Sequence, residues 1–264
     1  VMNILSFKFF FNNILLISHG FGNTNIDTKY TPGILAPYIK CANTISIPEK
    51  NDLFTNLDEI YKNCKEYPEN SLFIGGDHSI SISTINAVYK PNMKIVWIDA
   101  HPDINTEKSS ISNNYHGMPL GFLTGLEKSK YNINLPFEDI LYIGIRDIDP
   151  YEKQIIETKK IKYIDSKASP EVIEKILKEF IGNNKVHISF DVDALDYHSF
   201  NSCNTRVHNG LNILKAKFIF DTLLKYDINS MDIVEINFMK SQTPNIFQDF
   251  DTLKFITNNY HIFR

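Results

Sequence analysis

The 264-residue sequence has no run of lysine or arginine that looks like a nucleic-acid footprint, and 27 basic residues against 31 acidic ones leave a net charge of −4. That balance carries no electrostatic footprint for a polyanion, so nucleic acid is not an expected partner and a small uncharged or cationic substrate fits better. Cysteine is scarce: Cys41, Cys64 and Cys203 are an odd number without metal-ligand spacing. They read as free thiols in a reducing compartment, with the cytoplasm as the default location. There is no internal repeat, no low-complexity segment and no Pro/Gly/Ser-rich linker, so one domain over residues 1–264 is the simplest account. The apolar stretch Met2 to Ser18 is broken by Lys8, Asn12 and Asn13 and lacks a basic start or a small-residue cleavage site. A buried strand at Ile14 to Ile17, followed by the turn Gly20-Phe21-Gly22, is preferred there over a signal or membrane anchor.

What is present is enough apolar material, 43% of the chain, to fill a substantial core. Short apolar runs recur at Leu72 to Ile74, Lys94 to Ile98, Ile140 to Gly144, Val186 to Phe190 and Ile233 to Ile236, none cleanly alternating, as expected of strands buried on both faces. Between them lie stretches with helical spacing: Phe54, Leu57, Tyr61 and Cys64; Val172, Ile173, Ile176, Leu177 and Phe180; Phe218, Leu223 and Leu224. Alternating strands and helices predict an α/β fold with a mainly parallel sheet flanked by helices. In such sheets ligands bind beyond the carboxyl ends of the strands, so a functional motif should follow an apolar run.

Three motifs do. Asp99-Ala100-His101-Pro102-Asp103 follows Lys94 to Ile98, and its potential ligands stand at alternate positions, which point the same way in extended chain. Asp191-Val192-Asp193 follows Val186 to Phe190, and Gly75-Gly76-Asp77-His78-Ser79 follows Leu72 to Ile74, where the glycines are read as allowing a sharp turn. An isolated D-x-H-x-D is as readily a polar strand terminus as a metal site. Three such clusters at separate strand ends are harder to dismiss, because carboxylates gathered together need cations. His78, Asp99, His101, Asp103, Asp191 and Asp193 make four carboxylates and two imidazoles, a donor set for a pair of borderline-hard divalent ions, with manganese the best single guess.

These three blocks, in this order, resemble the signature blocks of the ureohydrolase family, which comprises arginases, agmatinases and relatives. The resemblance reaches from the Gly75 turn to the Glu235 region, and residues 1–70 match it poorly. It implies an eight-stranded parallel sheet flanked by helices and two Mn2+ ions, one held by His78, Asp99, Asp103 and Asp191, the other by Asp99, His101, Asp191 and Asp193. Asp99 and Asp191 would bridge. The implied reaction is attack of a metal-bridging hydroxide on a guanidinium carbon, releasing urea and an amine.

Asn105-Thr106 and Ser112-Asn113-Asn114-Tyr115-His116-Gly117 resemble arginases more than agmatinases, which implies L-arginine as substrate and L-ornithine and urea as products. By that resemblance Asn105, Ser112 and Asn114 meet the substrate α-carboxylate, Asp149 its α-amino group with help from Glu152, and Thr205 also faces the substrate. His116 would shuttle protons beside Asp103, and Glu235 would pair with the guanidinium group. Each has a plainer reading: a Ser/Asn-rich segment is usually a solvated loop, a lone histidine is usually structural, and Asp149-Pro150 is a good helix start. Gly117 and Pro119 complete the His116 motif, and both readings of Asp149 can hold together.

The sequence also departs from the family. From Tyr197 to Arg206 the expected prolines and a glycine are missing, which predicts a more mobile loop. Leu214-Lys215 replaces an Arg-Glu pair used between subunits, so a homo-oligomer such as the family's trimer is not assumed. Phe238 replaces a proline, and the loop closing over the family's site is only faintly echoed by Gly20-Phe21-Gly22-Asn23 and Thr31-Pro32-Gly33. The competing readings are a ureohydrolase for agmatine or another guanidino compound, a non-catalytic relative, and, disfavoured by the many carboxylates, a single-zinc deacetylase.

Overall fold

The structure is a computed structural model that describes residues 11–39, 43–240 and 243–257. Cys41 and residues 2–10 of the apolar first stretch lie outside the described residues. Eight strands form one sheet in the order β2-β1-β3-β8-β7-β4-β5-β6, and every pairing is parallel. They are β1 (Asn13–Ile17), β2 (Asn43–Ile47), β3 (Ser71–Ile74), β4 (Lys94–Ile98), β5 (Ile140–Ile143), β6 (Lys162–Ile164), β7 (Val186–Asp191) and β8 (Ile228–Val234). The helices are α1 (Thr31–Leu35), α2 (Leu53–Lys65), α3 (Ser81–Val88), α4 (Pro119–Thr124), α5 (Pro150–Lys159), α6 (Pro170–Ile181), α7 (Ile213–Leu223) and α8 (Thr243–Thr257). The parallel, helix-flanked α/β architecture is the one the sequence predicts.

Alternate strand residues feed two cores. Ile14, Leu16, Val96, Ile98 and Ile188 pack toward α6, α7 and α8, while Leu15, Ile17, Ile95, Trp97 and Tyr142 pack toward α2, α3, α4 and α5. Because both faces are covered, β3, β5 and β7 are buried throughout, and β7 is so even though His187, Ser189 and Asp191 alternate with Val186, Ile188 and Phe190. On α2 the buried face is Leu53, Leu57, Ile60 and Cys64; Phe54 faces outward and packs edge-on against Tyr115. On α6 it is Val172 that faces outward, while Ile173, Leu177 and Phe180 are buried.

Three strands differ from the sequence reading. The edge strands β2 and β6 leave most of their side chains exposed and so lack an apolar run. β8 starts at Ile228 and ends at Val234, earlier than the run Ile233 to Ile236 suggests. Its first half carries Asn229, Ser230 and Asp232, all buried, because each finds a partner: Asn229 Nδ2 donates to Pro68 O, His187 Nδ1 meets Ser230 Oγ at 2.8 Å, and Ser81 Oγ donates to Asp232 at 2.7 Å. Among the described residues no helix is long and apolar enough to cross a membrane. Cys64 and Cys203 are free and buried, and burial pushes the Cys203 thiol up to about 12.

Candidate metal centre and substrate cavity

The centre of the sheet, β3-β8-β7-β4, sends its carboxyl ends to one place. Gly75 and Gly76 follow β3, and neither has positive φ. Their need is room rather than a sharp turn: a Cβ on Gly76 would lie 1.5 Å from His19 O, and one on Gly75 would lie 1.9 Å from Ile80 Cδ1. This close packing delivers His78, which is fully buried and stacked 4.1 Å from the Trp97 ring at an interplanar angle of 7°. Its Nε2 meets Ser189 Oγ at 2.9 Å, which aims Nδ1 at the carboxylates.

His78 Nδ1 lies 3.0 Å from Asp103 Oδ2, 3.1 Å from Asp99 Oδ2 and 3.3 Å from Asp191 Oδ2. It nevertheless has no partner in hydrogen-bonding geometry. A buried imidazole nitrogen converging with three carboxylate oxygens, none aligned to accept from it, is the arrangement expected where all four atoms face a common cation. A second group adjoins it: His101 Nδ1 is 3.1 Å from Asp193 Oδ2 and 3.5 Å from Asp99 Oδ1. The tight ligand groups are His78, Asp99 and Asp103, and Asp99, His101 and Asp193, with Asp99 in both. Asp191 joins the first through Oδ2, while its Oδ1 accepts from Asp193 N at 2.8 Å. Residue clusters able to hold a pair of metal ions are thus present, and nitrogen and oxygen donors without sulfur suit borderline-hard divalent ions.

Without a cation this packing is electrostatically costly for the carboxylates Asp103, Asp191 and Asp193, whose ionisation is shifted up, whereas burial at Asp99 is outweighed by His101 and His78, which hold it below its usual range. Burial alone would lower the His78 imidazole, but Asp103, Asp191 and Asp99 hold it well above its usual value. Burial and the neighbouring Asp99 charge raise the Asp103 carboxyl to about 6, and burial with Asp193 and Asp99 raises that of Asp191. Burial would lower His101 as well, but Asp193 and Asp99 keep it high. Further bonds fix the shared carboxylate: Trp97 Nε1 donates to Asp99 Oδ2 at 2.9 Å and His101 N to Asp99 Oδ1 at 2.7 Å.

Two site carboxylates stand on unusual backbone. Asp103 has φ 49° and Glu235 φ 61°, the left-handed region that non-glycine residues seldom occupy. Asp103 is held there by Leu120 N donating to its carbonyl at 3.0 Å, and Glu235 by its own N–H donating to Gly76 O at 2.8 Å. Glu235 Oε1 accepts from His78 N at 2.9 Å and meets His116 Nδ1 at 3.1 Å, while Oε2 is buried without a partner. Burial would lower the His116 imidazole, but Glu235 raises it to about 9, and burial of Glu235 is outweighed by His116, which keeps that carboxyl below its usual range.

A cavity of about 240 Å³ opens over these groups, lined on the strand side by His101, Asp103, Asp191, Asp193, His116 and Glu235. Its loop side carries Asn105, Ser112, Asn114, Asp149, Glu152 and Thr205. Asn105 Nδ2 donates to Asp149 Oδ2 at 3.0 Å, and Ser109 Oγ donates to Asn105 Oδ1 at 2.9 Å, which fixes how the amide points. Asp149 does cap α5, with Pro150 as the first helical residue. Glu152 is occupied with bracing: Oε1 accepts from Ile104 N and Oε2 from Asp149 N. Burial and the charge of Asp103 raise its carboxyl to about 8. Ser112 and Thr205 are exposed at the rim and Asn114 half-buried.

Several groups had no assignable role in the sequence. Gly22 N donates to the buried Asp77 at 2.8 Å and His116 N donates to Gly22 O at 3.0 Å, so the Gly20 to Asn23 loop does reach the site. His19 Nε2 meets Ser79 Oγ at 2.8 Å on the same support. The signal was the spacing Gly20-x-Gly22 after a strand, but its partner lies 55 residues away. The Arg146 guanidinium donates to the carbonyls of Asp193, Val207, His208, Gly144 and Ala194, tying the ends of β5 and β7 to the following loop.

Comparison with known proteins agrees with this architecture. The arginase of Entamoeba histolytica is 38% identical over 190 residues, covering 66% of this chain and 64% of that protein. Human arginase-1 is 37% identical over 193 residues, covering 66% of this chain and 60% of that protein. The match therefore spans less than two thirds of these relatives' own length. The crystal structure of the Entamoeba histolytica arginase in complex with L-ornithine superposes with a TM-score of 0.79 at 27% identity, covering 94% of this chain and 99% of that one. The sequence profile of the arginase family matches residues 20–245, and the chain belongs to that family.

Proposed function

We propose that the protein hydrolyses L-arginine to L-ornithine and urea with two Mn2+ ions bound. The observation that carries this reading is the convergence of His78 Nδ1 with three carboxylates, joined through Asp99 to His101 and Asp193, on the floor of a cavity whose opposite wall is Asn105 and Asp149. His78, Asp99, Asp103 and Asp191 would hold one ion, and Asp99, His101, Asp191 and Asp193 the other. Bound ions would supply Lewis-acid charge that lowers the pKa of a water molecule and neutralises this acidic floor.

The chain's own groups do the rest. Glu235 Oε2, buried and unpartnered, is available to an N–H of the cationic guanidinium group, which orients the carbon to be attacked. His116, held protonated by Glu235 at neutral pH, is placed on the cavity wall to hand a proton to the departing amine nitrogen. Asp149, oriented by Asn105, is the acceptor for an α-ammonium group, and the neutral donors Ser112 and Asn114 at the rim suit an α-carboxylate. The L-ornithine in the Entamoeba histolytica complex, itself an α-amino acid, is in keeping with that preference. Agmatine would leave such donors unpaired, at about 1 to 3 kcal/mol for each one buried.

Urea release by the manganese-loaded full chain with arginine, agmatine and guanidinobutyrate in parallel tests the proposal. Arginine should be turned over most efficiently. Faster turnover of agmatine would overturn the substrate assignment, and absence of urea from all of them would overturn the hydrolytic one.

A further inference from the structure

The segment from Asp196 to Leu211 carries Thr205 to the cavity rim without the prolines expected there. It is closed at its base, where Asp196 N donates to Leu211 O and Leu211 N to Ala194 O, both at 2.9 Å. Midway, Cys203 bridges Ile236 and Asn237 N donates to Ser202 O at 2.8 Å, beside Glu235. Its far side is caught by a side chain from α8, later in the chain. Asp249 of α8 is fully buried and accepts from Asn201 N at 3.0 and 3.1 Å, from Ser202 N at 2.8 Å and from Ser202 Oγ at 2.6 Å. Phe250, Leu253 and Ile256 of the same helix lie in the core and α8 packs on α7, so this carboxylate is mounted on a fixed base.

We propose that Asp249 is a positioning residue that latches the Asp196 to Leu211 loop and thereby presents Thr205 to the substrate. Proline would restrict the loop by removing conformations from the backbone; Asp249 instead binds one conformation through several hydrogen bonds to a single carboxylate. The bonds converge on Asn201 and Ser202, a few residues before Thr205, and Asn237 Nδ2 donates to Asn204 Oδ1 at 2.6 Å to carry the same register to Thr205 itself. Preorganisation of this kind acts on substrate capture and orientation while leaving the metal ligands alone. The proposal rests on reading Thr205 as a substrate-facing residue of a guanidino hydrolase.

The test compares Asp249→Ala, Asp249→Asn, Thr205→Ala and the double variant Asp249→Ala/Thr205→Ala in the manganese-loaded full chain. Asp249→Ala should retain its metal content, raise KM about tenfold and lower kcat by less, with Asp249→Asn between it and the wild type. Because Asp249 acts through Thr205, the double variant should be no worse than the poorer single variant by more than about twofold. Losses that multiply, or loss of metal with Asp249→Ala, overturn the proposal. Amide hydrogen exchange supplies a readout that needs no turnover: the Asn201 and Ser202 amides should lose protection in Asp249→Ala, and unchanged protection overturns the latch. A wild-type protein without urea release would refute the proposed function while the exchange measurement still decides the latch. Should Asp249→Ala fail to fold, Asp249→Asn, which keeps the shape and one acceptor oxygen, carries the same comparisons.

Discussion

The strand-end wall of the cavity, with Asp103, Asp191 and Asp193 and with His78 and Asp99 fully buried against them, is cross-braced, whereas the loop wall, with Ser112, Asn114 and Thr205, is half-buried or exposed. On the first side three of the candidate ligands are oriented by residues on or just beyond the central strands: Trp97 holds Asp99, Ser189 holds His78, and Ala100 N donates to Asp193 Oδ1 at 3.1 Å. On the second, Ser112 Oγ accepts from Asn114 N at 3.2 Å within one short segment. Rigid strand ends suit chemistry that tolerates little displacement. Loops suit selection among substrates that differ far from the reacting carbon.

That contrast can be broken or sharpened by mutation. The largest effect is expected at the shared ligand: Asp99→Ala disrupts both groups, so elemental analysis should find no intact metal pair and urea release should fall at least about 1000-fold. Full activity in Asp99→Ala would remove the basis for a metal centre here. Next comes pH. Ligation requires Asp103, raised to about 6, and the elevated His78 and His101 to lose their protons. Metal binding therefore releases protons and affinity rises with pH, about tenfold per pH unit for each proton released. Titrations with manganese at pH 6 and pH 8 check the sign; equal affinities would contradict it.

Smaller effects probe the bracing and then the rim. Trp97→Phe keeps the ring stacked on His78 but removes the donor to Asp99, and manganese affinity should fall about 10- to 100-fold. Asn105→Ala releases Asp149 and should lower kcat/KM for arginine about tenfold with little change for agmatine, narrowing the ratio between them. Ser112→Ala, at an exposed position, should cost only a few-fold in KM, about 1 kcal/mol or less. If Ser112→Ala proved as damaging as Asn105→Ala, the loop wall would be far less forgiving than its exposure indicates.

The blocks that carry the candidate ligands were legible because they follow apolar runs; the expected extended alternation is not what gathers them, since the chain bends after Ile98, with His101 N donating to Asp99 Oδ1 at 2.7 Å, and Asp103 stands at φ 49°. The chain's interior was read less well wherever burial is polar. β8 hides Asn229, Ser230 and Asp232 inside the sheet, so its first half resembles a surface segment until His187, Ser81 and Thr84 supply their partners. Edge strand β2, with Asn43 and Thr44 exposed, offers no run at all. The supports of the site, Asp77 beneath Gly22 and Asp249 beneath Ser202, accept from backbone amides, which every residue but proline carries and no sequence pattern marks. The predicted mobility of the Tyr197 to Arg206 segment followed from missing prolines, and the structure offsets that loss with a carboxylate far along the chain.

Trp97 is the single tryptophan of the sequence, and it both stacks on His78 and donates to Asp99. The protein therefore carries its own optical probe, placed against two residues of the candidate metal cluster. With excitation at the red edge of its absorption, where the 13 tyrosines do not absorb, its emission comes from one known position and needs no label. Filling and emptying of the cluster can accordingly be followed in real time, in the unmodified chain and in every variant that retains the indole.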